Sequence, residues 1–429
     1  MNAKENYLSA LRHEPTEWVP VDEECVYFVG SVNSMEMSTE QEGEDGFGVK
    51  WLSTDSTGGG FMPDPRYNVL SADDICDWRD IVKFPEPSKY PWKEESEAEL
   101  EGIDRETTCI DFFSLNGPHD RLVALMGFED ALIALSEEPE AAAELMAAIA
   151  DYKIECLDYA AEYYHPDTYT LCDDVATQKN PFMSPEVYRE LISPQHARIA
   201  AHARELGIIP ILHCCGHAEV LVDDYLSEGW NAWCSVQPCN DISSLLDSYG
   251  DRLTIIGGYD TNGPAGMTDD EQILDAEVER CYESYGTKPG YVFSGFILNP
   301  SEVGGDMYAS YSKMATIAMD YMHSHANGAN GKEARGSDDA QHGPEHDDDG
   351  QHGPDCGRDD GERHGPEHDD GQHGPDAGHD RENGERHGPE HDDDGCHGPD
   401  CDRGDGERHG PESGYSEGRE VRSKEETAA

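Results

Sequence analysis

From about residue 165 the chain alternates short apolar strands with amphipathic helices, and this alternation limits the fold more than any other feature. "DTYTLCDD" (167–174), "IIPILHCC" (208–215), "NAWCSVQP" (231–238), "LTIIGGYD" (253–260) and "GYVFSGFI" (290–297) read as strands. Between them lie helical stretches: 184–207, "AEVLVDDYLSEG", "DISSLLDSYG", "TDDEQILDAEVERCYESYG", and a last one over 301–325. Ser184 and Pro185 give the first of these an N-cap and a first helical residue, Gly207 gives it a stop, and Pro194 predicts a kink. Strands separated by helices of this length make βαβ units and a parallel sheet. The N-terminal half is less regular. "WVPVDEE" (18–24) and "CIDFFSLNGP" (109–118) read as strands, 128–164 as helix broken near Pro139, and the stretch from Asp45 to Trp78 as an excursion of hairpins and loops.

A large parallel sheet is either an open doubly wound sheet or a closed barrel. The open sheet usually carries a glycine-rich phosphate turn after its first strand, and "WVPVDEE" is followed by none. Polar residues end strand after strand: Asp173 and Asp174, His213 and Cys215, Gln237, Asp260, Ser294. A barrel gathers such ends on one face, where its site is built, whereas an open sheet strings them along an edge. The expectation is a (β/α)8 TIM barrel over residues 1–325.

Beyond Ala326 the composition changes. Three copies of a 22- or 23-residue unit begin at His342, His364 and His387, each opening "HGPEHDD". They contain almost no apolar residues, so no core offsets the entropy of ordering them, and residues 326–429 are expected to be disordered. Their histidines, carboxylates and Cys356, Cys396 and Cys401 could bind divalent metals weakly, or the segment could be only a solvated acidic tail. The tail holds roughly -20 of the formal charge of -62, so the barrel is acidic too. Such a charge argues against nucleic acid and anionic membrane as partners. No apolar run approaches the roughly 18–20 residues of a membrane span, and the N-terminus lacks the apolar stretch of a signal peptide. A cytoplasmic location is expected, and thirteen cysteines without regular spacing read as mostly reduced thiols.

His213 and Cys215 are the strongest chemical signal. In extended chain, residues i and i+2 face the same side, so one ion can see both, and Gly216 lets the backbone turn away. Cys214 faces the opposite side and is expected in the core, as is Cys234; His217 could cap the next helix. The adjacent Asp173 and Asp174 would repel, raising the pKa of one of them if both were buried. Asp260, after two glycines, is either a turn former or a site acid. His213 and Cys215 could also be packing residues alone.

The run from Ile211 to Asp260 resembles the uroporphyrinogen decarboxylase superfamily, and within it the cobamide-dependent methyltransferases. The resemblance rests on His213-x-Cys215-Gly216, the Gln237 and Asp241 region and "GGYD" at 257–260, with "LRHEPTEWVPV", "DGFGVKW" and "DDVATQKNPFMSPEVYRELISP" as further matches. It covers nearly all of residues 1–325 and none of the tail. It implies a TIM barrel in which zinc, held by His213, Cys215 and a third ligand, assists methyl transfer between a small substrate and a corrinoid. Asp174, Asp260 and Gln237 are the implied catalytic residues. The corrinoid motif Asp-x-His-x-x-Gly is absent, so the corrinoid is expected on a separate protein. The branch's late cysteine falls near Phe296, which leaves Asp174, Asp260, Glu24, Cys239 and Cys25 as alternatives for the third ligand. Without a metal, His213 would act as an acid or base. Three other readings stay open: a tetrapyrrole decarboxylase, a carrier that stores metal in its tail, and a corrinoid-binding partner without turnover. The decarboxylase branch has an arginine-rich N-terminal motif, where this chain has "VPVDEECVYFVGS".

Overall fold

The computed structural model describes residues 1–38, 42–53, 61–297 and 307–326. The chain divides into the compact unit Met1–His342 and Gly343–Ala429. The repeats expected in the tail lie outside the described residues.

Seven parallel strands form the main sheet. They are β1 (Val26–Val29), β5 (Cys109–Ser114), β6 (Thr168–Cys172), β7 (Ile209–His213), β8 (Ala232–Val236), β9 (Thr254–Gly258) and β10 (Tyr291–Ser294), in that spatial order. A parallel bridge from Val21 to Phe293 joins the two edges, and Pro20 O accepts the Phe293 N–H at 2.9 Å, so the sheet curls into an α/β barrel. The expected eight strands are seven among the described residues. "WVPVDEE" is not the continuous strand its valines suggest. Asp22–Cys25 form one helical turn, so Val21 reaches β10 while Val26–Val29 pair with β5. One interrupted segment thus serves both neighbours.

Strands β6 and β9 are buried at every residue, as expected of parallel strands covered on both faces. The helices between them follow the sequence signals. Ser184 Oγ caps the first turn, and Gly229 ends the helix Val222–Glu228 in the left-handed conformation. Pro194 is accommodated by a wide π-turn over Tyr188–Ile192, after which the helix restarts at Ser193.

The N-terminal end of the barrel is plugged. The helix Ala3–Leu11 opens with a capping box between Asn2 and Glu5 and packs Tyr7, Leu8 and Leu11 on Ile211, Ala232, Ile256 and Val292 of β7–β10. Thr254 Oγ1 donates to Ala10 O at 2.7 Å. The expected excursion is a small antiparallel sheet: β2 (Glu42–Glu44), β3 (Lys50–Ser53) and β4 (Phe61–Pro63). Buried Asp45 anchors it, accepting from Phe47 N, Val49 N and Trp51 Nε1 at 2.9 Å and from Arg121 Nη1 of the helix Pro118–Met126 at 2.7 Å. With the lower end filled by apolar side chains, the C-terminal strand ends are where polar chemistry collects. Among the described residues no helix is long and apolar enough to cross a membrane.

Candidate functional site at the barrel mouth

Three residues that follow adjacent strands converge. Ligand-capable atoms of Asp174 (after β6), His213 (the end of β7) and Cys215 lie within 4.8 Å of one another, and all three side chains are half-buried. Cys215 Sγ is 3.6 Å from His213 Nε2 and 3.2 Å from Ser235 Oγ. Asp174 Oδ1 accepts the Cys215 N–H at 2.8 Å, and Gln237 Oε1 accepts the Gly216 N–H at 3.1 Å. Gly216 has φ +87°, and a Cβ there would stand 2.6 Å from Thr177 O and 2.7 Å from Ala176 O, so glycine is required at this turn. Burial holds the His213 imidazole below its ordinary pKa, which leaves it neutral and able to ligate. Burial and the charge of Asp174 push the Cys215 thiol up to about 12, so the sulfur keeps its proton unless a cation displaces it.

The other sequence candidates sit elsewhere. Asp260 takes its place in the turn after β9, where its N–H donates to Glu277 Oε1 at 2.9 Å and its carboxylate packs over Gly263. Glu24 reaches away to His323 at 3.1 Å. Cys25 is buried with the lower barrel cluster, and Cys239 is exposed outside the group, though near enough to contribute to the raised pKa of Cys215. His217 accepts no ligand role in the group; its Nδ1 lies 2.6 Å from Lys179 O and its Nε2 3.4 Å from Glu219. Cys214 is in the core, and Cys234 borders the lower cluster.

A second constellation adjoins the first, and the sequence reasoning did not find its helical members. Asp173, beside Asp174 in the chain, is fully buried and accepts at Oδ2 from His196 Nε2 (2.7 Å) and His119 N (3.1 Å), and at Oδ1 from Asp120 N (2.7 Å). His196 Nδ1 lies 3.0 Å from Tyr188 Oη, which donates to Glu228 Oε1 at 2.8 Å, and Trp230 Nε1 donates to Glu228 Oε2 at 2.8 Å. Burial opposes a charge on His196, but the carboxylates of Asp173 and Glu228 outweigh it and raise its pKa to about 10. Burial likewise opposes a charge on Asp173, but His196 outweighs it and holds that carboxyl below the usual range. Asp120 accepts the Asp174 N–H at 3.0 Å; burial and repulsion from Asp173 and Asp174 raise it to about 7. Ser235 was also missed. It adopts φ +61° at an irregularity in the β8–β9 register, a strained geometry for a non-glycine residue that sets its hydroxyl against Cys215.

The family model described as uroporphyrinogen decarboxylase (URO-D) matches residues 58–295. No curated protein matches the chain. Among solved structures, a methyltransferase from Methanosarcina mazei is similar at 15% identity with a TM-score of 0.53, over 75% of this chain and 99% of that one. A uronate isomerase from Bacillus halodurans C-125 aligns at 14% identity with a TM-score of 0.26, over 54% of this chain and 55% of that one. The first likeness shows a shared barrel fold.

Proposed function

Because this chain belongs to the uroporphyrinogen decarboxylase (URO-D) family, whose model spans more than half of it, we propose that it is a methyltransferase of that family. It moves a methyl group between a small methylated substrate and a corrinoid carried by a separate protein, with zinc held by Asp174, His213 and Cys215. The observation that carries this reading is the convergence of one carboxylate, one imidazole and one thiol at the barrel mouth. This donor set fits zinc in a catalytic site, where three protein ligands leave a position open. Asp174 takes the place of the late cysteine that the resemblance implies near Phe296. When bound, zinc acts as a Lewis acid and lowers the pKa of a thiol or water beside it. The chain's own residues do the positioning. Asp174 and Gln237 hold the backbone of Cys215 and Gly216, and the Ser235 hydroxyl supports the sulfur.

The site is less suited to a polycarboxylate tetrapyrrole. Asp174 is one of its three members, and Asp120 adjoins it through the Asp174 N–H. The nearby Arg121 is buried and committed to Asp45. Such a substrate would meet repulsion. The shared barrel with a methanogen methyltransferase makes methyl transfer the reaction class to test first. The test is to incubate the protein with methylcobalamin and a panel of thiol acceptors, and to follow loss of the methyl–cobalt absorption. We expect zinc-dependent demethylation that falls at least 100-fold in His213→Ala and in Cys215→Ser. Turnover that both variants retain would refute the reading, as would methylcobalamin left unchanged by the parent with every acceptor.

A further inference from the structure

We infer that His119, Asp120 and Asp173 form a second divalent-cation site, separate in donor chemistry from the Asp174–His213–Cys215 group. Their ligand-capable atoms lie within 4.8 Å of one another. His119 Nδ1 is 3.9 Å from Asp120 Oδ1, too long for a hydrogen bond but suited to two ligands of one ion.

The independent observation is the state of the imidazole. His119 is 1% exposed, and among the described residues neither ring nitrogen has a partner at hydrogen-bond distance; burial opposes a charge on the ring, but the Asp120 and Asp173 carboxylates outweigh it and raise its pKa. A buried polar group without a partner is costly, and an unpartnered group in a native structure calls for an explanation such as an ion. The ring is not there only to fill space. It stacks on Phe182 with 5.8 Å between centroids, which fixes its plane, and it lies against two carboxylates. A cation accounts for both features, since it gives the imidazole a partner and neutralises the crowded acids.

The carboxylates are already oriented. His196 Nε2 and the His119 and Asp120 N–H groups hold Asp173, and the Asp174 N–H holds Asp120 Oδ2. Carboxylate ligands in metal sites are commonly fixed by such outer hydrogen bonds. One imidazole and two carboxylates, with no thiolate, suit Mn²⁺, Fe²⁺, Co²⁺ or Zn²⁺ and disfavour soft ions.

The test uses the full chain carrying Cys215→Ser, which removes the thiol of the first group, and Mn²⁺ as the probe. Thermal unfolding is recorded in EDTA and in excess Mn²⁺, for this parent and with His119→Phe or Asp120→Asn added. A melting shift reads only ions that bind the folded state preferentially, so histidines beyond residue 342 give parent and variants the same background. We expect Mn²⁺ to raise the parent's Tm by about 3–6 °C at a hundredfold excess over Kd, and both variants to lose that rise. If His119→Phe does not fold, Asp120→Asn, whose side chain is 29% exposed, decides the matter. No rise in the parent, or an equal rise in parent and variants, would overturn the inference.

Discussion

His196 should make the protein's stability depend on pH in a way that one substitution removes. Its imidazole is fully buried between Asp173 and Glu228, and its pKa is raised to about 10 in the folded state. In the unfolded chain it returns to about 6.5. Below pH 6.5 both states hold the proton, and the stabilisation is fully present. Between 6.5 and 10 the folded state holds a proton that the unfolded state has released, so stability falls as pH rises. The slope approaches about 1.4 kcal/mol per pH unit, and the loss between pH 7 and pH 9 comes to about 2–3 kcal/mol. His196→Gln keeps a donor for Asp173 but cannot titrate. At pH 6.5 it should be about 3–5 kcal/mol less stable than the parent, since a buried charge pair is broken. By pH 9 that gap should shrink by about 2–3 kcal/mol. Urea unfolding of both proteins at half-unit pH steps measures the gap directly. Asp111 and Glu23, raised by burial to about 6 and 7, titrate in both proteins, so they largely cancel in the difference, and Asp120, which lies against Asp173, is replaced by Asn in both. A gap constant to within about 0.5 kcal/mol from pH 6.5 to 9 would show that His196 is not held protonated, and the reasoning about the buried pair would fail.

Two further substitutions test the scaffold that aims the site. Gly216→Ala forces a Cβ onto two backbone carbonyls at positive φ and should cost about 2–4 kcal/mol in chemical unfolding; a loss below about 1 kcal/mol would show that the turn can relax. Lys153→Met leaves buried Glu36 with only Arg121, at 3.7 Å, as a cationic partner and should cost about 3–5 kcal/mol; adding Glu36→Gln should recover part of it, and a double variant no better than the single one would argue against the pairing.

Burial and position decided which parts of the molecule the sequence revealed. Strands β6 to β10 were legible because parallel strands covered on both faces favour apolar and β-branched residues: "IPILH" is apolar up to its histidine, and "TYTLC" reads from its threonines and tyrosine. The first strand misled because its valines favour extended chain, while closing the barrel requires the turn at Asp22–Cys25 that lets one segment touch both β10 and β5. His213, Cys215, Asp174 and Gln237 were visible as polar residues at strand ends. His119 and Asp120 had a weaker signal. They follow Pro118 in the first turn of a helix just beyond β5, which places them at the same mouth. His196 had none, because a histidine in the middle of a helix resembles any other until Asp173 and Glu228 are placed beside it.

The tandem Asp173-Asp174 shows what such reading leaves open. Two adjacent acids at a strand end led to the expectation that repulsion would raise one of the pair if both were buried, and only Asp173 is fully buried. The fold separates them instead, since consecutive residues of extended chain face opposite sides. Asp174 faces the β7 and β8 ends and holds the Cys215 backbone, while Asp173 faces the β5 end and is neutralised by His196. Asp173 therefore lies below the usual carboxylate range, and the raised acid is Asp120, on another helix, which must share the mouth with both. Each aspartate then organises its own group: imidazole and thiol on one side, imidazole and a second carboxylate on the other.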